Sequence, residues 1–203
     1  MAYTPGGMVV HWAQRYDWLV TVLTFGRERR FREQLLAPAK LAPGQSVLDI
    51  GCGTGTLAIA AKLRVGVGKV TGIDASPEMI ARARRKAART GVDIAFDVAL
   101  AQSLPFADAT FDTVLSTVML HHVPRAAREE AAREVERVLK PGGQFLAVDF
   151  VGGSGHGLLS HFHKHGRVDA RDLIALVNGA GLNVVESGPV GMWDLQFVVG
   201  KRA

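Results

Sequence analysis

From residue 46 onward, short apolar runs alternate with amphipathic stretches, and this alternation constrains the fold more than any other feature. Residues 46–50, 69–74, 92–98, 111–117 and 144–150 are apolar runs bounded by Gly, Pro or polar residues, the pattern of buried strands. Residues 56–63, 124–139 and 169–178 read as helices between them. A further helix has all its end signals: Ser76 as N-cap, Pro77 at the first helical position and Gly91 to close it. Residues 182–186 and 194–199 read as two last strands with a Gly/Pro turn between them. Repeated strand–helix units need right-handed crossovers, so an α/β fold is expected, a doubly wound parallel sheet covered on both faces.

Before the alternation, residues 9–37 read as one or two helices with an apolar face formed by Val10, Trp12, Leu19, Val22, Leu23, Phe31, Leu35 and Leu36. Pro38 and Pro43-Gly44 end this unit. The expected organisation is a helical cap over 1–45 packed on one domain over 46–203. A chain of 203 residues buries roughly 70% of its unfolded surface and needs no covalent staple. The single cysteine, Cys52, excludes an internal disulfide and any zinc site built from several thiolates, and points to the cytoplasm. The net charge is +5, but the basic residues form no single block: Glu28 and Glu33 interrupt Arg27, Arg29, Arg30 and Arg32. Arg82, Arg84, Arg85, Lys86 and Arg89 share one helix and read as a solvated face, not a nucleic-acid surface. No targeting segment is expected, and the apolar stretch 18–25 is too short to span a bilayer.

Ligands of such sheets bind beyond the strand C-termini, so the chemistry is sought there. After the first strand come Asp49, Gly51, Gly53 and Gly55, which let backbone turn sharply and a ligand approach closely. After the second strand comes Asp74, 23 residues beyond Gly51. A carboxylate there can accept from both hydroxyls of a ribose, at roughly 1.5–3 kcal/mol per charge-assisted bond. Loop and carboxylate together favour a nucleoside ligand over a plain tight turn. A dinucleotide fits less well, because Thr56 stands at the sixth fingerprint position and no second nucleotide half follows. The Gly-Lys-Ser/Thr of a Walker loop is absent.

These residues carry a resemblance. VLDIGCGTG (47–55), GIDASPEMI (72–80), SLPFADATFDTV (103–114), HHV (121–123) and LKPGGQF (139–145) resemble the class I S-adenosylmethionine-dependent methyltransferases, type-11 branch. That resemblance implies a Rossmann-like, seven-stranded, mostly parallel sheet with an antiparallel C-terminal edge, and S-adenosyl-L-methionine as cofactor. It implies that Asp49, Gly51, Gly53 and Gly55 surround the methionine half and that Asp74 holds the ribose. Ala75 and Met79 would lie against the adenine, Ala101 and Gln102 would reach its edge, and Thr117 would border the sulfonium. LKPGG would be a structural turn. In one departure, Leu100 stands where the family often carries an acid facing the adenine amino group. RYDWLVTVLTFG (15–26) is similar to a stretch of the ubiquinone/menaquinone C-methyltransferases and hints at an apolar acceptor, although those enzymes usually carry an acid where Thr56 stands.

Methyl transfer from such a cofactor is an in-line displacement that chiefly needs alignment, which can supply roughly 7–11 kcal/mol of the barrier. A general base adds about 10²–10⁴-fold where the acceptor must lose a proton. His121 and His122, after the fourth strand, are the candidate bases, or else pocket wall and solvent face. Asp149, ending the fifth strand, can orient a histidine, bind the acceptor or cap its loop. Tyr16 is a candidate to close over the site, or with Trp18 to dock its helix. His161, His163 and His165 in HFHKH have spacing open to metal, yet their glycine-rich setting reads as a polar loop, and no metal is expected. The expected activity is methylation of a small, hydrophobic, quinone-like or lipid-like acceptor. The alternatives are a non-catalytic cofactor-binding module and an RNA methyltransferase. The Asn/Asp-Pro-Pro-Tyr/Phe segment of amino-methylating nucleic-acid enzymes is absent. A homodimer and peripheral membrane contact are compatible partner arrangements.

Overall fold

The structure, a computed structural model, describes residues 3–4, 7–8, 28–150, 170–191 and 194–203. Seven strands form one sheet: β1 Val47–Ile50, β2 Val70–Asp74, β3 Ala95–Val98, β4 Phe111–Thr117, β5 Leu139–Phe150, β6 Asn183–Pro189 and β7 Leu195–Lys201. Their spatial order is β3-β2-β1-β4-β5-β7-β6. The first five strands run parallel, while β7 pairs antiparallel with both β5 and β6. The mostly parallel, doubly wound sheet with an antiparallel C-terminal edge is therefore observed. The chain order reverses beside β1, so the ends of β1 and β4 flank the switch point where a crevice opens.

Helices α1 Glu28–Leu36, α2 Thr56–Val65 and α3 Pro77–Thr90 cover one face, and α4 Arg125–Val138 and α5 Ala170–Gly179 cover the other. On the first face Phe31, Leu35, Leu36, Ile59, Ile80 and Phe96 bury against Val47, Leu115 and Val148. On the second, Val135, Val138, Leu173 and Val177 meet Leu48, Ile50, Val114 and Phe145. α3 starts and stops as its sequence signals require: Ser76 Oγ accepts from Met79 N–H at 3.3 Å, and Gly91 closes the helix at φ 67°.

Two strands start well away from where they were expected. β3 begins at Ala95, not residue 92, and β5 begins at Leu139, ahead of the Pro141-Gly142-Gly143 turn. Leu139 already pairs with Phe111, the register shifts, and pairing resumes at Gln144 opposite Thr113. The turn is thus a bulge inside a ladder. At the sheet edge formed by β3, Arg84 of α3 donates Nε–H to the Phe96 carbonyl at 2.9 Å and pairs with Asp97 at 3.2 Å. Arg137 of α4 staples the LPF loop, donating to the Phe106 carbonyl at 2.8 Å and the Leu104 carbonyl at 3.1 Å, while Glu134 accepts from Leu104 N–H at 2.7 Å.

Candidate functional site

β1 delivers Asp49 into the interior, where it is 2% exposed. Burial, and then the nearby Asp74 charge, push its carboxyl up to about 7, opposed by a hydrogen bond from Ala58 N–H. Asp49 Oδ2 is buried without a hydrogen-bond partner among the described residues. Asp49 pairs with Leu115 across the β1–β4 ladder, so Thr117, two residues on, points to the same face. Thr117 Oγ1 is likewise buried and unpartnered among the described residues. Unmatched buried polar atoms are costly unless something completes them, and these two share one face at the switch point.

The loop glycines divide by role. A Cβ at Gly51 would collide with the Met119 side chain, and one at Gly55 would come within 2.8 Å of Phe96 and 2.9 Å of Ala83. At those two positions the protein's own packing requires glycine. Gly53, at φ 54°, would place a Cβ in open space. Its N–H donates to Asp74 Oδ2 at 2.9 Å, and Ser76 N–H donates to Asp74 Oδ1 at 2.9 Å. Asp74 is raised by burial, which those two N–H groups oppose. The carboxylate expected on the ribose therefore also ties the glycine loop to the start of α3, each oxygen keeping a second lone pair. Burial first, then Asp49 and Asp74, hold the Cys52 thiol protonated.

Ala75 is exposed beside Asp74, and Met79 is buried in the first turn of α3. Beyond β3, Ser103 N–H donates to the Leu100 carbonyl at 3.2 Å, closing a tight reversal with half-buried Ala101 and Gln102 at its tip. Ala99 N–H donates to the Asp74 carbonyl at 3.2 Å, so this reversal sits beside Asp74. The structure thus brings the expected cofactor residues to one end of the sheet. That donor set fits an adenosyl amino acid: a carboxylate for a diol, a second carboxylate for an ammonium, and bare backbone between them.

The fourth-strand loop turns at Val118, which adopts φ 55°, an uncommon state for a β-branched residue, at roughly 1–3 kcal/mol. The turn lays Met119 over Gly51 and starts a 3-10 turn, Leu120–His122. His121 Nδ1 lies 2.7 Å from Asp149 Oδ1, and His121 N–H donates to Asp149 Oδ2 at 3.0 Å. Phe150 N–H also donates to Asp149 Oδ1, at 2.8 Å. Asp149 is fully buried, and the His121 side chain is 14% exposed. The His122 ring lies on His121 with centroids 3.8 Å apart. In the neutral imidazole, a carboxylate on Nδ1 favours the tautomer that carries its proton there and turns Nε2 into the acceptor atom.

Tyr16 and the His161/His163/His165 tract lie outside the described residues. The solvated reading of the α3 cations holds incompletely, since Lys86 Nζ turns to Thr54 Oγ1 at 2.8 Å and Thr56 Oγ1 at 2.7 Å. Sequence reasoning missed Met119 and Arg128. Their only signal was position, one after the fourth strand and one in the first turn of the helix that follows.

Residues 47–143 match the family model described as a methyltransferase domain. The chain is 39% identical over 138 residues to a demethylmenaquinone methyltransferase of Thermus thermophilus, covering 68% of this chain and 62% of that protein. It is 37% identical over 142 residues to a ubiquinone/menaquinone biosynthesis C-methyltransferase of Geotalea daltonii, covering 68% and 59%. The chain thus spans about three-fifths of the length of these curated relatives. A SAM-dependent methyltransferase structure from Aquifex aeolicus superposes with a TM-score of 0.75 at 22% identity, over 85% of this chain and 89% of that one.

Proposed function

We propose that this chain, whose residues 47–143 match a methyltransferase domain, uses S-adenosylmethionine to methylate a ring carbon of a reduced, quinone-type acceptor. The relatives' names supply the acceptor class, and one observation carries the chemistry: the His121–Asp149 dyad at the ends of β4 and β5. Bound cofactor would supply an activated methyl group, and His121 Nε2 would take up the ring proton that the methylated carbon gives up. Asp74 would hold the ribose, with Ala75, Met79, Ala101 and Gln102 around the adenine. Asp49 and Thr117 would complete the amino-acid end, and Gly53 leaves it room. Asp149 would position His121 and stabilise its imidazolium, worth about 10²–10⁴-fold as a base. Residues 1–45 would cap the domain, with Tyr16 toward the acceptor. Among the described residues no helix is long and apolar enough to cross a membrane.

The test is transfer of labelled methyl from S-adenosylmethionine to a reduced demethylmenaquinone. Label in the quinol ring, with stoichiometric S-adenosylhomocysteine, is expected. Cofactor binding without label in any quinol would refute the acceptor and favour a non-catalytic binding module.

A further inference from the structure

The first turn of α4 carries a cation that neither the glycine loop nor the dyad explains. Arg128 is half-buried, and its Nε–H donates to the carbonyl of Val123, the residue after His122, at 2.7 Å. Its two terminal amino groups have no hydrogen-bond partner among the described residues. Two carboxylates, Asp149 and Asp172, act on it electrostatically, with Arg125 opposing them. Asp149 has its oxygens engaged by His121 Nδ1, His121 N–H and Phe150 N–H.

The topology fixes where this guanidinium stands. α4 begins just past the end of β4, and α5, which carries Asp172, begins on the same side of the sheet as the end of β5. Arg128 therefore shares the strand-end rim with His121, and both are coupled to Asp149. A partly desolvated guanidinium, tied at Nε and with no partner at either amino group among the described residues, presents a planar fork suited to an anionic oxygen.

We propose that Arg128 binds the acceptor, its terminal N–H groups holding a phenolate or enolate oxygen next to the carbon whose proton His121 removes. This assignment rests on the proposed function and narrows it: the acceptor reacts as an oxyanion, and a neutral ring is held less well. A carbon beside an ionised ring oxygen is the stronger nucleophile, so the same contact selects the reactive form and fixes its orientation.

The experiment titrates protein saturated with S-adenosylhomocysteine with two probes and measures no turnover. One is lawsone, a hydroxynaphthoquinone ionised at neutral pH; the other is menadione, its neutral methyl counterpart. Wild type is expected to bind lawsone about tenfold more tightly than menadione, or better. Arg128→Gln should abolish that preference and Arg128→Lys should retain part of it, with menadione and S-adenosylhomocysteine affinities within about twofold of wild type. The proposal is overturned if wild type shows no preference, if Gln preserves it, or if Gln weakens both probes and the cofactor product together. That last result would mark Arg128 as a structural counter-charge for Asp149 and Asp172. Failure to methylate any quinol would refute the acceptor assignment and leave this readout standing.

Discussion

Asp49→Asn makes a demanding test, because the buried carboxyl links stability to pH with a defined sign. Its folded-state pKa is raised to about 7 from 3.8. The folded state then binds more protons than the unfolded state between those values, so stability is highest below about pH 4 and falls until about pH 7. The difference, 7 − 3.8 = 3.2, at about 1.36 kcal/mol per pH unit, amounts to about 4 kcal/mol. Between pH 5 and 8 the share is about 3 kcal/mol. Asparagine removes this titration. It can still accept from Ala58 N–H, but its amino group would replace the unpartnered Oδ2, at a pH-independent cost of about 1–3 kcal/mol. The slope is therefore diagnostic and the offset is not. Urea unfolding of both proteins at pH 5 and pH 8 should show the variant gaining about 3 kcal/mol relative to wild type. A difference that stays level across that range would refute the assignment of Asp49 as a strained, buried acid. Calorimetry with S-adenosylhomocysteine gives the functional counterpart: if Asp49 meets the ammonium as an anion, affinity rises toward pH 7 and then levels, and the variant loses this dependence.

Asp74→Ala should weaken S-adenosylhomocysteine binding about 100-fold or more, from the loss of two charge-assisted bonds; unchanged affinity by calorimetry would remove the ribose assignment. Gly51→Ala should destabilise by more than about 2 kcal/mol through positive φ and the collision with Met119, whereas Gly53→Ala should cost about 1 kcal/mol and chiefly weaken the cofactor product. Equal stability losses by denaturation would mean the two positions do not differ as described. His121→Ala should lower kcat on a reduced quinol by about 10²–10⁴-fold with S-adenosylhomocysteine affinity within about twofold, and His122→Ala should lower it by less than about tenfold. Equal rates in wild type and both variants would exclude the base.

The parts of the fold visible in sequence were those governed by local rules. Ser76, Pro77 and Gly91 set the ends of α3 through interactions spanning one turn, and the apolar runs at β1, β2 and β4 could only be buried strands. Asp49 and Asp74 stood out because a carboxylate near the end of an apolar strand run is conspicuous in sequence. What stayed hidden depends on residues far apart in the chain. His121 and Asp149 are 28 residues apart and meet only because β4 and β5 are neighbours. The separate duties of Gly51 and Gly53 depend on Met119, whose place follows from the unusual turn at Val118. Arg128 is distinguished from the other cations of its helix only by its bond to the Val123 carbonyl and the charge of Asp149. The extension of β5 through Pro141-Gly142-Gly143 was illegible for the opposite reason: a strong local turn signal was accommodated as a bulge without ending the ladder.

The contact between Arg84 and the Phe96 carbonyl reaches beyond local packing. A parallel sheet that stops at a short strand leaves a template onto which a stray chain can hydrogen-bond, the first step of edge-to-edge clumping. Here the guanidinium occupies the docking acceptor and sets a fixed positive charge where an intruding backbone would have to lie. Neutralising Arg84 should therefore show first in the concentration at which the protein precipitates.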